Sequence, residues 1–164
     1  MPCTLYLDTS ILCALADPPA RSAYARTCQS LTRRWLRSLP HTLNLCTSEV
    51  ALRRIQSGPP QLASARLTIA HRFQILPAKK KFQRKSKLLL LGGGLNSETK
   101  NLGQEIVCAA TFGIKLFASW DWQGIEAMRL PTLRMMLGAA GLPTLEFITP
   151  LQLLELNYET LSTS

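Results

Sequence analysis

The chain has 164 residues, of which 46% are apolar, and carries a formal net charge of +9. This length suits one domain with a sizeable core, and the apolar content excludes a disordered chain. No apolar run approaches the roughly 20 residues of a membrane-spanning helix, and no secretory signal precedes the first apolar segment. We therefore expect a single cytoplasmic domain over residues 1–157, a flexible tail over 158–164, and no membrane contact.

The positive charge indicates a polyanion such as nucleic acid as a partner, because cationic side chains neutralise phosphates and release counterions. A soluble protein that is merely basic is the alternative. Cysteines occur at five widely spaced positions: Cys3, Cys13, Cys28, Cys46 and Cys108. This pattern favours neither a zinc site nor a disulfide framework, so we expect most of the thiols to pack as small apolar groups.

Short apolar segments alternate with longer segments that begin at capping residues, a pattern typical of strands alternating with helices. The predicted strands are Cys3–Leu7, Thr42–Cys46, Phe73–Leu76, Lys115–Ser119 and Leu145–Ile148. The predicted helices are Thr9–Ala16, Ala20–Leu39, Thr47 or Ser48 to about Gln56, Gln61–Arg72, Lys79–Leu91, Ser97–Phe112, Gly124–Ala140 with a kink near Pro131, and a last one from Thr149-Pro150. This alternation predicts a three-layer α/β/α sandwich around a parallel sheet of four or five strands.

Two of the three aspartates follow predicted strands: Asp8 comes after Leu7, and Asp121 comes after Trp120. In parallel α/β sheets, ligands bind beyond the carboxyl ends of the strands. Asp8 and Asp121 therefore predict an acidic site at that edge of the sheet. Thr9 and Ser10 are expected to cap the first helix.

Several short motifs follow one another from Leu5 to about Leu154. They are Leu7-Asp8-Thr9-Ser10 (compare Y-L-D/E-T-S), Gln29, Thr32 and Trp35 (Q-x-x-T-x-x-W), Ser48-Glu49 with Ile55 (S-E-L-V-L-E-E-I), Ala109 with Gly113 and Ser119-Trp120-Asp121 with Ile125 (A…G-x-D-x-L-L-T-W-N/D-x-x-H-I), and Ile148-Thr149-Pro150 with Leu153-Leu154 (T-P-E-E-L-L). Their order and spacing resemble those of the PIN domains, and within them the VapC-like proteins of toxin–antitoxin systems. The resemblance implies a PIN-like fold, frequent homodimers and often an antitoxin partner.

The resemblance also implies a metal-dependent ribonuclease, in which about four acidic residues at the strand ends hold Mg²⁺ or Mn²⁺. Such hard cations prefer oxygen ligands, and they activate water and neutralise phosphate charge. Carried over by position, the first and fourth acids correspond to Asp8 and Asp121. The second position, six residues after Ser48, is Arg54, and the third, eleven residues before Gly113, is Leu102. Two of the four acidic positions are therefore lost.

Two enzymatic states fit this pattern. In the first, which we favour, the chain is a pseudoenzyme without a cofactor, and the permanently charged Arg54 pairs with Asp8 or Asp121 in place of a metal. In the second, it is an active Mg²⁺- or Mn²⁺-dependent endoribonuclease in which Glu98 or Glu105, on one helical face, replaces a lost acid. The structural alternative is that Glu98 caps its helix and Glu105 is solvated or hydrogen-bonded locally.

A binding module for RNA or a protein partner is the third hypothesis, and it is compatible with a defective nuclease site. Two basic runs support it: Lys79, Lys80, Lys81, Arg84, Lys85 and Lys87 form one, and Arg33, Arg34 and Arg37 form the other. Phosphate contacts from such runs give affinity that is sensitive to salt and blind to sequence. A solvated helix face is the alternative. We thus predict a defective VapC-related nuclease that acts by binding RNA or a protein partner.

Overall fold

Five short strands form one parallel sheet in the computed structural model, which describes residues 4–39, 43–92, 95 and 99–162. The strands are β1 (Leu5–Leu7), β2 (Leu45–Ser48), β3 (Gln74–Leu76), β4 (Leu116–Ala118) and β5 (Glu146–Ile148). The helices between and after them are α1 (Thr9–Ala16), α2 (Ala23–Arg37), α3 (Glu49–Gln56), α4 (Pro60–Ala70), α5 (Lys80–Leu91), α6 (Lys100–Thr111), α7 (Trp122–Ala127), α8 (Leu130–Ala139) and α9 (Pro150–Ser162).

The strand order is β3-β2-β1-β4-β5, so the direction of chain progression reverses between β1 and β4. These two strands are paired in parallel, with Leu5 opposite Leu116 and Leu7 opposite Ala118. A reversal of this kind opens a crevice at the carboxyl ends of the two strands. Asp8 follows β1 directly, and Asp121 lies three residues beyond β4, so the topology brings both aspartates to this crevice.

Helices cover both faces of the sheet, because successive side chains of a strand point to opposite faces. Leu5 and Leu7 belong to a buried cluster that includes residues of α1, α2 and α9. Tyr6 belongs to a second cluster with residues of α5, α6 and α8, and its ring stacks on Phe117 with centroids 4.9 Å apart. The predicted α/β/α sandwich with a parallel sheet is therefore confirmed.

Some predicted boundaries are wrong. The helix predicted over 124–140 is two helices, α7 and α8, separated by a turn in which Arg129 has a φ of 46°. Pro131 does not kink a continuous helix; it lies in the first turn of α8, where the missing N–H costs no hydrogen bond. Strand β2 begins at Leu45, later than predicted, and α9 ends at Ser162.

The cysteines mostly follow the prediction. Cys28 and Cys108 are buried free thiols, and Cys13 is a half-buried one. Cys46 is disulfide-bonded, which the wide spacing of the cysteines did not predict.

None of the helices in the described part of the chain has the length and apolar character needed to cross a membrane.

Candidate functional site

Asp8 is buried at the carboxyl end of β1, with 1% of its surface exposed. Its Oδ1 accepts hydrogen bonds from the Ile11 backbone N–H at 3.1 Å and the Ser10 hydroxyl at 2.5 Å. Its Oδ2 accepts a hydrogen bond from the Ser119 hydroxyl at 2.6 Å. Asp8 is therefore the N-cap of α1, and the prediction that Thr9 or Ser10 caps this helix is wrong.

The environment of Asp8 disfavours its charged form. Burial, with a further contribution from the nearby Glu105 carboxylate, raises the pKa of Asp8 from 3.8 to about 7. The hydrogen bonds from Ser10, Ser119 and Ile11 act in the opposite direction, since they stabilise the carboxylate. Asp8 therefore takes up a proton close to neutral pH, unlike an exposed aspartate.

Glu105 on α6 is the second buried carboxylate, with none of its surface exposed. Its Oε1 accepts hydrogen bonds from the Tyr6 hydroxyl at 3.0 Å and the Thr9 N–H at 3.2 Å. Its Oε2 accepts one from the Thr9 hydroxyl at 3.0 Å and one from Nη1 of Arg54. We call the group formed by Asp8, Glu105 and these donors the carboxylate pocket. The expectation that Glu105 is solvated or bonded only locally is wrong.

Arg54 is the cation of this pocket. It lies on α3, which packs against α6, and its guanidinium forms an ion pair with Glu105. Our expectation that Arg54 pairs with Asp8 or Asp121 is therefore wrong about the partner. Burial raises the pKa of Glu105, and the Arg54 charge opposes this shift. Because a guanidinium stays protonated in proteins, Arg54 supplies a permanent positive charge at the strand ends.

Asp121 is half-buried and caps α7, accepting a hydrogen bond from the Gly124 N–H at 2.9 Å. Its own N–H donates to the Ser119 hydroxyl at 2.9 Å, so Ser119 joins Asp121 to Asp8. Leu102, which the sequence comparison above predicts at the third acidic position, is buried in the apolar core with 2% of its surface exposed. Glu98 lies outside the described residues.

The fold family implies a divalent metal at this edge of the sheet, but the residues present do not fit one. Each carboxylate oxygen of Asp8 and Glu105 already accepts at least one hydrogen bond, and the Arg54 charge repels a cation. Across the described residues, no group of three or more His, Cys, Asp or Glu side chains is placed to hold a metal ion. The pocket instead carries its own cation.

A groove of about 800 Å³ lies beside the carboxylate pocket, between α3, α5 and α6. Its walls carry six cationic side chains, which define the cationic groove: Arg53, Arg54, Lys79, Lys80, Arg84 and Lys87. No carboxylate lines it among the residues that the structure describes. Arg54 belongs to both places, because it contacts Glu105 and keeps 26% of its side chain exposed.

The remaining residues predicted to bind RNA lie elsewhere. Lys81 and Lys85 are on α5 but do not line the cationic groove. Arg33 and Arg34 are on α2, in the opposite helical layer, and Arg33 donates to the backbone oxygen of Asp17 at 3.0 Å. The structure therefore groups only part of the first basic run, and it separates this run from the second.

Sequence reasoning missed three members of the carboxylate pocket: Tyr6, Thr9 as a ligand of Glu105, and Ser119. A tyrosine inside a buried strand was the available signal, since a buried hydroxyl usually finds a hydrogen-bond partner. Tyr6 meets this expectation with Glu105 and with the Ser48 hydroxyl, 2.6 Å away. The contact of Ser119 with Asp8 spans 111 positions, so no local pattern announces it.

The sequence matches no protein-family model and no curated protein. Among solved structures, the chain is similar to the crystal structure of Mycobacterium tuberculosis VapC20, a toxin that cleaves the sarcin-ricin loop. The TM-score is 0.57, and the match covers 76% of this chain and 95% of that one at 17% identity. This likeness shows that the fold is PIN-like and VapC-like, as the motifs predicted. At this identity it carries over the fold alone.

Proposed function

We propose that this chain is a VapC-related RNA-binding protein that does not cleave RNA by the metal-dependent route. The ion pair between Arg54 and Glu105 carries the proposal, because it places a permanent cation beside the buried carboxylates of the strand ends. A metal-dependent nuclease needs this position for Mg²⁺ or Mn²⁺. A guanidinium holds its charge at all accessible pH values and supplies no activated water.

RNA is the partner that the cationic groove supports best. Its six positive charges face a space of about 800 Å³, and phosphates are the anions that neutralise such an array along a chain. Phe82, on α5 beside these cations, is buried with 3% of its surface exposed, and is therefore not placed to stack on bases. We accordingly expect phosphate contacts without sequence readout.

The absence of cleavage is tested with purified protein and labelled RNA in Mg²⁺, in Mn²⁺ and in EDTA, compared with the Asp8→Asn variant. We expect the RNA to stay intact in every case. Cleavage that requires Mn²⁺ and is lost in Asp8→Asn would overturn the proposal. That result would support the alternative, an active endoribonuclease that uses Asp8 and Asp121 with Glu98 or Glu105 as a substitute carboxylate.

Binding is tested with two variants that each remove two charges from α5. Arg84→Ala/Lys87→Ala removes two of the six cations that line the cationic groove. Lys81→Ala/Lys85→Ala removes two cations of the same helix that lie outside the groove. Binding of labelled single-stranded RNA is measured in EDTA at several salt concentrations. We expect the negative slope of log binding constant against log salt concentration to become shallower by about 0.7 per lost phosphate contact, and only in the first variant. Equal losses in both variants would reject the groove as the binding surface.

The predicted antitoxin and homodimer partners stay predictions. The VapC-like fold is a reason to test for both partners. Size-exclusion chromatography with light scattering measures the oligomeric state directly. A dimer would leave the RNA proposal intact, since the tests above compare variants of the same chain.

A further inference from the structure

A second, smaller pocket of about 240 Å³ adjoins the cationic groove, between α5 and α6. We propose that it binds the phosphomonoester group of a nucleotide, carried by the end of an RNA strand or by a free mononucleotide. An RNA end as ligand rests on the proposed function, whereas a free mononucleotide does not. We call this space the Ser86 pocket, and its polar walls are Gln83, Ser86, Lys87, Lys100 and Gln104.

The hydroxyl of Ser86 carries the inference, because it is buried and has no hydrogen-bond partner among the residues that the structure describes. Ser86 is 8% exposed, and it lines both the cationic groove and the smaller pocket. A buried hydroxyl without a partner lowers the stability of the fold, and native structures keep few such groups. A phosphate oxygen bound in the pocket supplies the acceptor that this hydroxyl lacks.

Two lysines give the Ser86 pocket its charge. Lys87 on α5 and Lys100 on α6 are both exposed, and neither forms a salt bridge with another described residue. No carboxylate lines this pocket in the described part of the chain. A phosphomonoester carries close to two negative charges at neutral pH, whereas each phosphate within an RNA strand carries one. The two lysines therefore match a terminal phosphate better than an internal one.

The remaining walls suit the sugar that carries such a phosphate. The amides of Gln83 and Gln104 offer donors and acceptors for ribose hydroxyls, and Leu90 and Leu95 form an apolar side. Gly103 lets Leu95 pack closely on α6, since a Cβ there would lie 2.5 Å from the Leu95 methyl carbons. At about 240 Å³, the pocket is smaller than most small-molecule sites. It therefore fits one phosphate with its sugar and not a run of nucleotides.

The preference for a phosphorylated end tests the inference directly. One short single-stranded RNA with an internal fluorophore is prepared with a 5′-phosphate, with a 3′-phosphate and with hydroxyls at both ends. Fluorescence anisotropy in EDTA measures its binding. We expect one phosphorylated form to bind about tenfold more tightly than the hydroxyl form, because hydrogen bonds to a charged group are strong. Calorimetric titration of a nucleoside 5′-monophosphate, with the nucleoside as control, measures the pocket without RNA.

Two pairs of variants separate the Ser86 pocket from the cationic groove. Ser86→Ala and Lys100→Ala change the pocket, and Lys100 does not line the groove. Ser57→Ala and Lys80→Ala are the matched controls, because both residues line the groove but not the pocket. We expect the first pair to lose the preference for a phosphorylated end and the binding of the nucleoside monophosphate. The controls should keep both.

The stability of Ser86→Ala is a further readout. Because the hydroxyl has no partner in the free protein, its removal should leave the thermal unfolding midpoint unchanged or raise it. A hydroxyl that supports the fold would lower the midpoint when it is removed. The inference therefore requires a Ser86→Ala variant that has lost phosphate binding and is at least as stable as the wild type. A less stable variant would contradict it.

Two other results would overturn the inference. One is a wild type with neither a preference for a phosphorylated end nor binding of the nucleoside monophosphate. The other is a wild-type response that Ser86→Ala and Lys100→Ala both retain.

Failure of the proposed function gives a different pattern. A wild type that binds no RNA but binds the nucleoside monophosphate through Ser86 and Lys100 rejects RNA binding and leaves the Ser86 pocket in place. A wild type that binds all three RNA forms equally, and no monophosphate, rejects the Ser86 pocket alone.

Discussion

The carboxylate pocket and the cationic groove meet at Arg54, but they treat charge in opposite ways. In the pocket, Asp8 and Glu105 are buried and every carboxylate oxygen accepts a hydrogen bond. In the groove, the five cations other than Arg54 form no salt bridge among the described residues. The pocket's charges are therefore satisfied by the chain itself, whereas the groove's cations have no carboxylate partner among the described residues and can meet an external anion.

This difference between pocket and groove predicts which property of the protein each substitution should change. A buried, hydrogen-bonded charge contributes to stability mainly because its loss leaves other buried groups without partners. An exposed charge contributes little to stability and acts on association. Substitutions in the pocket should therefore change the free energy of unfolding, and substitutions in the groove should change RNA affinity.

The largest effect is expected for Glu105→Ala. It leaves the Arg54 guanidinium half-buried without its carboxylate and removes one of the two hydrogen-bond partners of the Tyr6 hydroxyl, so we expect a loss of about 3–5 kcal/mol in the free energy of unfolding. Urea denaturation measures this change. Glu126→Ala, an exposed position on α7, is the control and should stay within about 0.5 kcal/mol of the wild type. Similar losses in the free energy of unfolding for Glu105→Ala and Glu126→Ala would contradict the stabilising role of the carboxylate pocket.

The second effect is the pH dependence of Asp8→Asn. Because the pKa of Asp8 is raised to about 7 in the folded chain, the folded state holds the proton more tightly than the unfolded one. The stability that this carboxyl contributes is complete below about pH 4 and is lost as the pH rises to about 7. Asparagine still caps a helix, so the variant keeps its stability while that of the wild type falls with rising pH. The free energy of unfolding of the variant relative to the wild type should therefore rise by up to about 4 kcal/mol.

Urea denaturation of both proteins at several pH values between 4 and 8 gives this difference directly. Stability curves of Asp8→Asn and wild type that run parallel over that range would show that Asp8 keeps an ordinary pKa.

A smaller effect is expected for Tyr6→Phe. The substitution keeps the ring stacked on Phe117 but removes the hydroxyl that donates to Glu105. A buried hydrogen bond of this kind is worth about 1–2 kcal/mol, measured by the same denaturation. Phe147→Leu, an apolar change near the same stack, is a control for ring packing alone. A Tyr6→Phe variant with undiminished stability would show that the hydroxyl is dispensable to the pocket.

The smallest effect on stability is expected for Arg84→Ala/Lys87→Ala in the cationic groove. Both side chains are exposed, so the free energy of unfolding should change by no more than about 0.5 kcal/mol while RNA affinity falls. A stability loss as large as that of Tyr6→Phe would mean that these cations support the fold, and the comparison between pocket and groove would fail.

Much of the fold is readable from local patterns. Short apolar segments of four or five residues, separated by capped helices, predict the parallel sheet and its helical layers, and the order of the short motifs predicts a PIN-like fold. The boundary between α7 and α8 was less predictable. The chain breaks there at Arg129, which adopts a left-handed backbone conformation although arginine has no preference for it.

The sequence by itself determined that Asp8 and Asp121 follow strands, and it predicts Arg54 and Leu102 at positions that are acidic in the family it resembles. Only the tertiary structure decided that Arg54 pairs with Glu105, 51 positions away, and that Leu102 belongs to the core. Local periodicity reports which residues share a face of one helix, whereas the partner of a side chain depends on how two helices pack. The packing of α3 against α6 brought the guanidinium to a carboxylate that no spacing rule connects with it.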